Sequence, residues 1–265
     1  MPARDLSRMG AANVALTVSH SGQAVIEKSP VGAVEFGFYQ NAATSLNEAG
    51  IATPALFSAD VTLRKLCMEY IPYPVEQSDV ASDEVLTMLA RLHRYPVNTA
   101  WHYHPHSWSE RALEKALILL ALPEKSARQL QQFQQFQQRS DVLFSGHRLI
   151  SGDSNAGNWG RRENGEVVLF DWERFGKGSP AIDLAPLIKG MGTMRAYTDL
   201  AERYCTLTYH HSVNELTREI AIAKAWIVTE VIVLLYERQK SAFSLYQTWY
   251  QSHLPDWLED TARRL

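Results

Sequence analysis

The sequence predicts an α+β chain of two unequal lobes: a small antiparallel β-sheet lobe over residues 1–71 and a mainly helical lobe over 72–265. Three observations lead there. Alternating, β-branched segments separated by turn signals fill most of the first seventy residues. Helical apolar spacing dominates after residue 80. Within the helical part, residues 142–172 change character, with a short apolar run, a polar loop and a strand. The chain has 265 residues, 46% hydrophobic and 21% charged, enough to bury a core without disulfide or metal staples.

The elements follow in order. Asn13-Val-Ala-Leu-Thr-Val-Ser19 alternates as a strand, Ser21-Gly22 turns the chain, and Gln23-Ala-Val-Ile-Glu-Lys28 returns until Pro30 ends it. From Val34 to Ala49 the positions Val34, Phe38, Ala42 and Leu46 keep helical spacing, and Gly50 supplies the stop. Leu56–Ala59 and Leu66–Ile71 read as two further strands joined by a polar turn around Asp60. Pro72-Tyr73-Pro74 then breaks the pattern and reads as the linker between the lobes.

Ser82-Asp83-Glu84 opens a helix whose stripe is Val85, Leu86, Leu89 and Leu92. Residues 109–139 hold two helical stretches split near Pro123. The tract Gln131–Gln138 looks low in complexity, but Leu130, Phe133 and Phe136 keep helical spacing and predict a surface helix. Glu166-Val-Val-Leu-Phe170 is a strand, and from residue 181 onward the pattern is helical. The chain carries no internal repeat.

Composition narrows the function classes. A net charge of −3 and an isoelectric point near 6.3 give no sign of a nucleic-acid partner. The longest apolar stretch, Ile220–Tyr236, is broken by Lys224 and Glu230 and is shorter than the ~20 residues of a membrane span, so it predicts a buried helix and no membrane partner. Two distant cysteines, Cys67 and Cys205, make neither a metal cage nor a disulfide framework and read as reduced core thiols. The opening MPARDLSRMG has no apolar core of signal-peptide length. Together these lead to the expectation of a cytoplasmic protein; its oligomeric state is not legible.

The informative segment is Ile150-Ser-Gly-Asp153-Ser-Asn-Ala-Gly-Asn158, followed by Val167-Val-Leu-Phe-Asp171-Trp-Glu173. An aspartate, an asparagine five residues on, and a second aspartate ending an apolar strand suit phosphoryl transfer. That reaction needs a carboxylate for the proton of the acceptor hydroxyl and hard oxygen ligands for magnesium on the phosphates. These motifs resemble those of the aminoglycoside phosphotransferase and choline kinase family, whose loop usually reads His-Gly-Asp, four residues, Asn. The resemblance covers about residues 10 to 190 and implies a protein-kinase-like two-lobe fold. In that frame Asp153 matches the catalytic aspartate, and Asn158 and Asp171 match the magnesium ligands. Gly178-Ser-Pro-Ala-Ile-Asp183-Leu-Ala resembles a supporting segment that commonly follows, with Ser179 in place of its first aspartate. Ser151 stands where the family usually has histidine.

The N-terminal motifs agree with the resemblance. Ile26-Glu-Lys28-Ser-Pro30 resembles the strand carrying the phosphate-binding lysine, which implies Glu35 as the ion-pair partner of Lys28. Gly10-Ala-Ala-Asn13 resembles a degenerate glycine-rich turn over the phosphates. Cys67-Met-Glu69-Tyr-Ile71 resembles the hinge, where backbone groups of Glu69 and Ile71 would bond the adenine edge. Leu89-Ala-Arg-Leu-His93 resembles a helix signature of the same family. The implied activity is an ATP- and magnesium-dependent kinase acting on a hydroxyl of a small molecule: an aminoglycoside, choline or ethanolamine, thiamine, or a sugar, cationic acceptors included. Residues 1–71 would form the nucleotide-binding lobe, and 72–265 would carry the catalytic loop and substrate site. The alternative is a catalytically silent nucleotide-binding regulator of the same fold. A protein kinase fits less well, because no Asp-Phe-Gly or Ala-Pro-Glu pattern frames an activation segment after Asp171.

Two further features carry readings of their own. His102, His104 and His106 alternate, so an extended loop could present them to a transition metal, though an aromatic-rich surface loop explains them as well. The aromatics from Trp226 to Trp257 read mostly as core, while Glu230 inside the apolar helix is a candidate for an amino group on the substrate.

Overall fold

The computed structural model describes residues 4–5, 12–19, 21–122, 127–208 and 212–265. Gly10 and Ala11 of the expected phosphate turn, Pro123 and the pair His210-His211 lie outside these residues. The chain forms two compact units, Met1–Pro105 with Arg148–Lys177, and His106–His147 with Gly178–Leu265.

The first unit is built on a five-stranded sheet made of Arg4–Asp5 (β1), Asn13–Val18 (β2), Ala24–Ser29 (β3), Leu56–Asp60 (β4) and Lys65–Glu69 (β5). Its order is β1-β2-β3-β5-β4, and every pairing is antiparallel. The register sets Lys28 opposite Val14 on one side and Leu66 on the other, so Lys28 sits on a central strand that cannot slide without breaking two ladders. The helix expected over 34–49 is two helices, Ala33–Asn41 (α1) and Ala43–Glu48 (α2), parted at Ala42. The Asn41 side-chain amide donates to the Gly37 carbonyl at 2.9 Å, competing with the helix ladder where it breaks. Asp83–Arg94 (α3) buries Val85, Leu86, Leu89 and Leu92, and the Ser82 hydroxyl caps it by accepting from the Val85 N–H.

The Pro72-Tyr73-Pro74 stretch, expected as the linker between lobes, includes a short strand. Tyr73–Pro74 (β6) pairs with Trp159–Arg161 (β8), which pairs in turn with Val167–Leu169 (β9). Pro74 is tolerated because β6 is an edge strand. This pairing draws the β8–β9 hairpin to the segment after the hinge, so residue 71 falls inside the first unit. Arg148–Ile150 (β7), preceding the polar loop, pairs with Gly176–Gly178 (β10). An aromatic cluster backs the hairpin: Phe38 of α1 stacks on Trp172 with ring centroids 4.2 Å apart and meets Phe175 edge-on at 4.9 Å. Such contacts add about 0.5–1.5 kcal/mol each beyond area burial, and they fasten α1 to the segment beginning at Asp171.

The second unit is helical: Glu110–Leu120 (α4), Ala127–Gln138 (α5), Asp141–Phe144 (α6), Ala181–Leu184 (α7), Met194–Thr208 (α8), Val213–Glu237 (α9) and Phe243–Ala262 (α10). In α5, Phe133 and Phe136 are wholly buried, so the glutamine tract is the outer face of a packed helix. Helix α9 is the buried helix that the apolar run predicts. Ser179 accepts from the Ala181 N–H at 3.1 Å and donates to Glu219, just ahead of α7, whose N-cap position is Pro180. Cys67 and Cys205 are free and half-buried rather than core thiols. No helix among the described residues is long and apolar enough to cross a membrane.

Lys224 of α9 is buried, and its ammonium donates to the carbonyls of Ile188 and Gly190 at 2.6 and 2.7 Å. Burial pulls its pKa from the ordinary 10.5 to about 7. The folded chain therefore gives up a proton between those values that the unfolded chain keeps, so the contribution of Lys224 to stability grows as pH rises from about 7 towards 10. In thermal melts the difference between wild type and Lys224→Met is expected to shift in favour of wild type from about pH 6.5 to about pH 9. A pH-independent difference would contradict the shift.

Candidate active site

Lys28 leaves β3 beneath α1 and reaches two carboxylates at once. Its ammonium lies 2.8 Å from Glu35 and 2.8 Å from Oδ1 of Asp171. Glu35 stands in the first turn of α1, where the helix dipole favours a negative charge, and is 1% exposed. Burial alone would lower the Lys28 pKa, but the charges of Glu35 and Asp171 outweigh it and raise it, so Lys28 stays an ammonium. Burial pushes the Glu35 carboxyl up against the opposing pull of Lys28.

Asp171 follows β9 with a φ of +64°, a left-handed conformation that non-glycine residues adopt at some cost. Its neighbours hold it there. The Phe170 N–H donates to the Asn158 carbonyl at 3.0 Å, and the indole of the fully buried Trp172 donates to the Leu169 carbonyl at 3.0 Å. The strain is carried by a packed aromatic and two hydrogen bonds, and it turns the carboxylate towards Lys28.

The loop after β7 is tied at both ends. Buried Ser151 accepts from the Asp153 N–H at 3.3 Å, a long bond at the start of the loop. Asn158, in the short 3-10 turn Ala156–Asn158, donates its side-chain amide to the Asp153 carbonyl at 2.8 Å, which engages the nitrogen and not the Oδ1 of that amide. Asn155, unremarked in the sequence, donates to Oδ1 of Asp153 at 2.6 Å and accepts from the Gly157 N–H at 2.8 Å. Burial raises the Asp153 carboxyl to about 6, the Asn155 bond opposes this, and the charge of Asp171 adds to it. A carboxylate poised near 6 is suited to accept a proton near neutral pH.

Glu69 ends β5 and Ile71 lies two residues beyond it, in the segment that the resemblance reads as a hinge. The Glu69 N–H donates to the Ala55 carbonyl at 2.8 Å, and its side chain is held by Arg162, a residue with no part in the sequence motifs. Asn13 lies exposed on β2 opposite Ser29. His104 donates its N–H to the Phe175 carbonyl at 2.7 Å and His106 meets Trp226 edge-on, so both have structural places. No group of three or more His, Cys, Asp or Glu among the described residues is arranged to hold a metal. Glu230 is half-buried on α9, and Trp226, one turn earlier, is core.

A buried lysine clamped by a helix glutamate and a strand-end aspartate lies in the same compact unit as a braced Asp-to-Asn loop, the arrangement that the sequence motifs of a phosphotransferase lead one to expect. The chain matches the model of the phosphotransferase enzyme family over residues 6–216 and belongs to that family. No curated protein matches it. Among solved structures, it resembles a choline/ethanolamine kinase family protein from Mesorhizobium loti (13% identity, TM-score 0.66, covering 100% of this chain and 91% of that one). It also resembles an ethanolamine kinase of Plasmodium vivax (13%, 0.65, 97% and 84%). A third is an amicoumacin kinase solved with AMP-PNP and Ca2+ (14%, 0.61, 95% and 89%). At these identities the likeness is one of fold, a protein-kinase-like α+β fold with a small antiparallel sheet and a helical part.

Proposed function

We propose that the protein is an ATP- and magnesium-dependent kinase that phosphorylates a hydroxyl of a small molecule. The observation that carries the reading is the 2.8 Å Lys28–Asp171 contact, in the same unit as the Asp153–Asn158 loop. Glu35 and Asp171 place two carboxylates against one lysine, an excess of negative charge that suits a divalent cation. The free Oδ1 of Asn158 and the carboxylate of Asp171 are hard oxygen donors that fit Mg2+. When bound, the ion neutralises phosphate charge during transfer.

In this reading Asp153 takes or orients the proton of the attacking hydroxyl, and Asn155 fixes which oxygen faces it. Lys28 neutralises phosphate charge and Glu35 holds it in place. At the hinge, the Glu69 N–H is already taken by Ala55, so its carbonyl would meet the base edge, with Ile71 as second contact and Asn13 over the phosphates. Residues 1–71 would form the nucleotide lobe, and 72–265 would supply the catalytic loop and the acceptor site. The acceptor is a hydroxylated small molecule, such as an aminoglycoside, choline or ethanolamine, thiamine or a sugar. A cytoplasmic setting belongs to the same reading, in which Cys67 and Cys205 serve as thiols rather than as a disulfide.

The test is ATP consumption against a panel of such acceptors, alongside calorimetry of nucleotide binding with and without Mg2+. Turnover with at least one acceptor supports the kinase. Mg2+-dependent binding with no turnover across the panel would favour a silent nucleotide-binding module. Asp171→Ala is expected to weaken Mg2+-dependent nucleotide binding about tenfold or more, in the range found when metal-site groups are lost; an unchanged Mg2+ dependence would remove Asp171 from the metal site.

A further inference from the structure

We infer that Arg162 is a positioning residue that couples the nucleotide-base end of the site to its metal end, an inference that rests on the proposed nucleotide binding. Arg162 follows β8 at the tip of the β8–β9 hairpin. The two strands of that hairpin carry the metal-site candidates at their far ends: Asn158 immediately precedes β8, and Asp171 follows β9 after one intervening residue. From the tip, the guanidinium grips the hinge. Its Nε donates to Oε1 of Glu69 and its Nη2 to Oε2, both at 2.7 Å, a parallel two-bond fork. The same Nη2 donates to the Thr53 carbonyl at 3.1 Å, and Nη1 meets Glu166 at 2.6 Å.

The contacts around this fork converge on one short segment. Ala55 exchanges hydrogen bonds with Glu69, its N–H donating to Oε2 at 3.0 Å and its carbonyl accepting from the Glu69 N–H at 2.8 Å. Ala52 accepts from the Leu169 N–H of β9 at 3.0 Å. The N–H of fully buried Thr53 donates to the Asn47 side chain at 2.9 Å, so the segment is anchored to α2 as well. Residues 52–55 therefore form a seam between hinge strand and metal hairpin, and Arg162 is a side chain that bonds the hinge, the seam and the hairpin together. Hydrogen bonds to Glu69 and Glu166 raise the Arg162 pKa further, so the clamp is charged at any working pH.

A shift of the hinge on binding a base is thus passed to the hairpin rather than absorbed in a loop. By linkage, whatever factor metal adds to nucleotide binding, nucleotide adds to metal binding. A side chain serving only as a local staple would lower the melting temperature and leave that factor alone.

The experiment measures ADP affinity by calorimetry with and without Mg2+ in wild type, Arg162→Met and Arg162→Lys; the ratio of the two affinities is the coupling. Arg162→Met is expected to reduce the wild-type ratio about fivefold or more, the lower end of ordinary couplings. Arg162→Lys, which keeps charge but loses the fork, should fall between them. Should the methionine variant not fold, the lysine variant carries the comparison. A ratio within twofold of wild type in the folded variants overturns the coupling while leaving the kinase reading intact. Wild type that binds no nucleotide overturns both.

Discussion

Asp153→Ala is expected to lower turnover by about 10²–10⁴-fold, the usual span for a positioned proton acceptor, while nucleotide binding measured by calorimetry survives. The residue lies in a loop braced by Ser151, Asn155 and Asn158, whose bonds to the Asp153 backbone and neighbouring amides do not need the carboxyl group, so the variant should fold. The pH dependence follows from its position. Burial raises the carboxyl from 3.8 to about 6, so turnover should climb as pH rises through about 6 and the carboxylate forms. Stability runs the other way. A group whose folded pKa is raised contributes fully below its unfolded value and loses that contribution as pH rises through the folded one, here between about 4 and 6. Asp153→Asn is accordingly expected to melt higher than wild type at pH 7 while being inactive. Turnover within tenfold of wild type in either variant removes Asp153 as the proton acceptor.

Lys28→Met is expected to act on both stability and binding. Breaking a buried ion pair from one side leaves an uncompensated charge and typically costs about 3–5 kcal/mol. Here Glu35 is 1% exposed and would be left beside Asp171 without the ammonium between them. Glu35 then escapes the cost by taking up a proton, so the loss of stability should shrink at lower pH. Nucleotide affinity should fall as well, since the only lysine in the cluster is gone. The double variant Lys28→Met, Glu35→Gln separates the two effects: it should recover much of the melting temperature and none of the nucleotide affinity. Full recovery of affinity would mean that Lys28 serves the fold and not the phosphates.

The contrast between the two buried lysines shows how neighbours decide whether burial prevails. Lys28 and Lys224 are each 7% exposed. Lys28 faces two carboxylates and is raised, whereas Lys224 faces two carbonyls and is lowered to about 7. In the sequence one was legible and the other was not. Lys28 sits in a strand motif with a glutamate seven residues on, while Lys224 is a lone interruption in an apolar run.

The candidate site was legible as a pattern because its residues lie in short contiguous stretches. Asp153, Asn158 and Asp171 occupy a loop and the strand after it, and Lys28 and Glu35 are seven residues apart, so spacing alone carries the pattern. Asn155 and Arg162 were not legible. An asparagine in a polar loop and an arginine at a hairpin tip are ordinary there, and only the contacts at 2.6 and 2.7 Å distinguish them. The strand Tyr73–Pro74 was hidden for a related reason: proline is a breaker in isolation but is permitted on an edge strand, and edge position is a property of the sheet. The break at Ala42 was hidden because Asn41 bonds the Gly37 carbonyl, a choice that apolar spacing does not encode.

Periodicity and motif order, by themselves, determined the α+β class, the small sheet ahead of the helices, and the residues of the phosphotransferase family pattern, because each of these depends on neighbours within about one element's length. Only the tertiary structure decided that Lys28 meets Asp171 across 143 residues, that Arg162 reaches Glu69 across 93, and that the β8–β9 hairpin joins the N-terminal sheet in one compact unit. Those are contacts between segments far apart in the chain. They are selected by burial, register and charge satisfaction over the whole fold, and no local spacing records them.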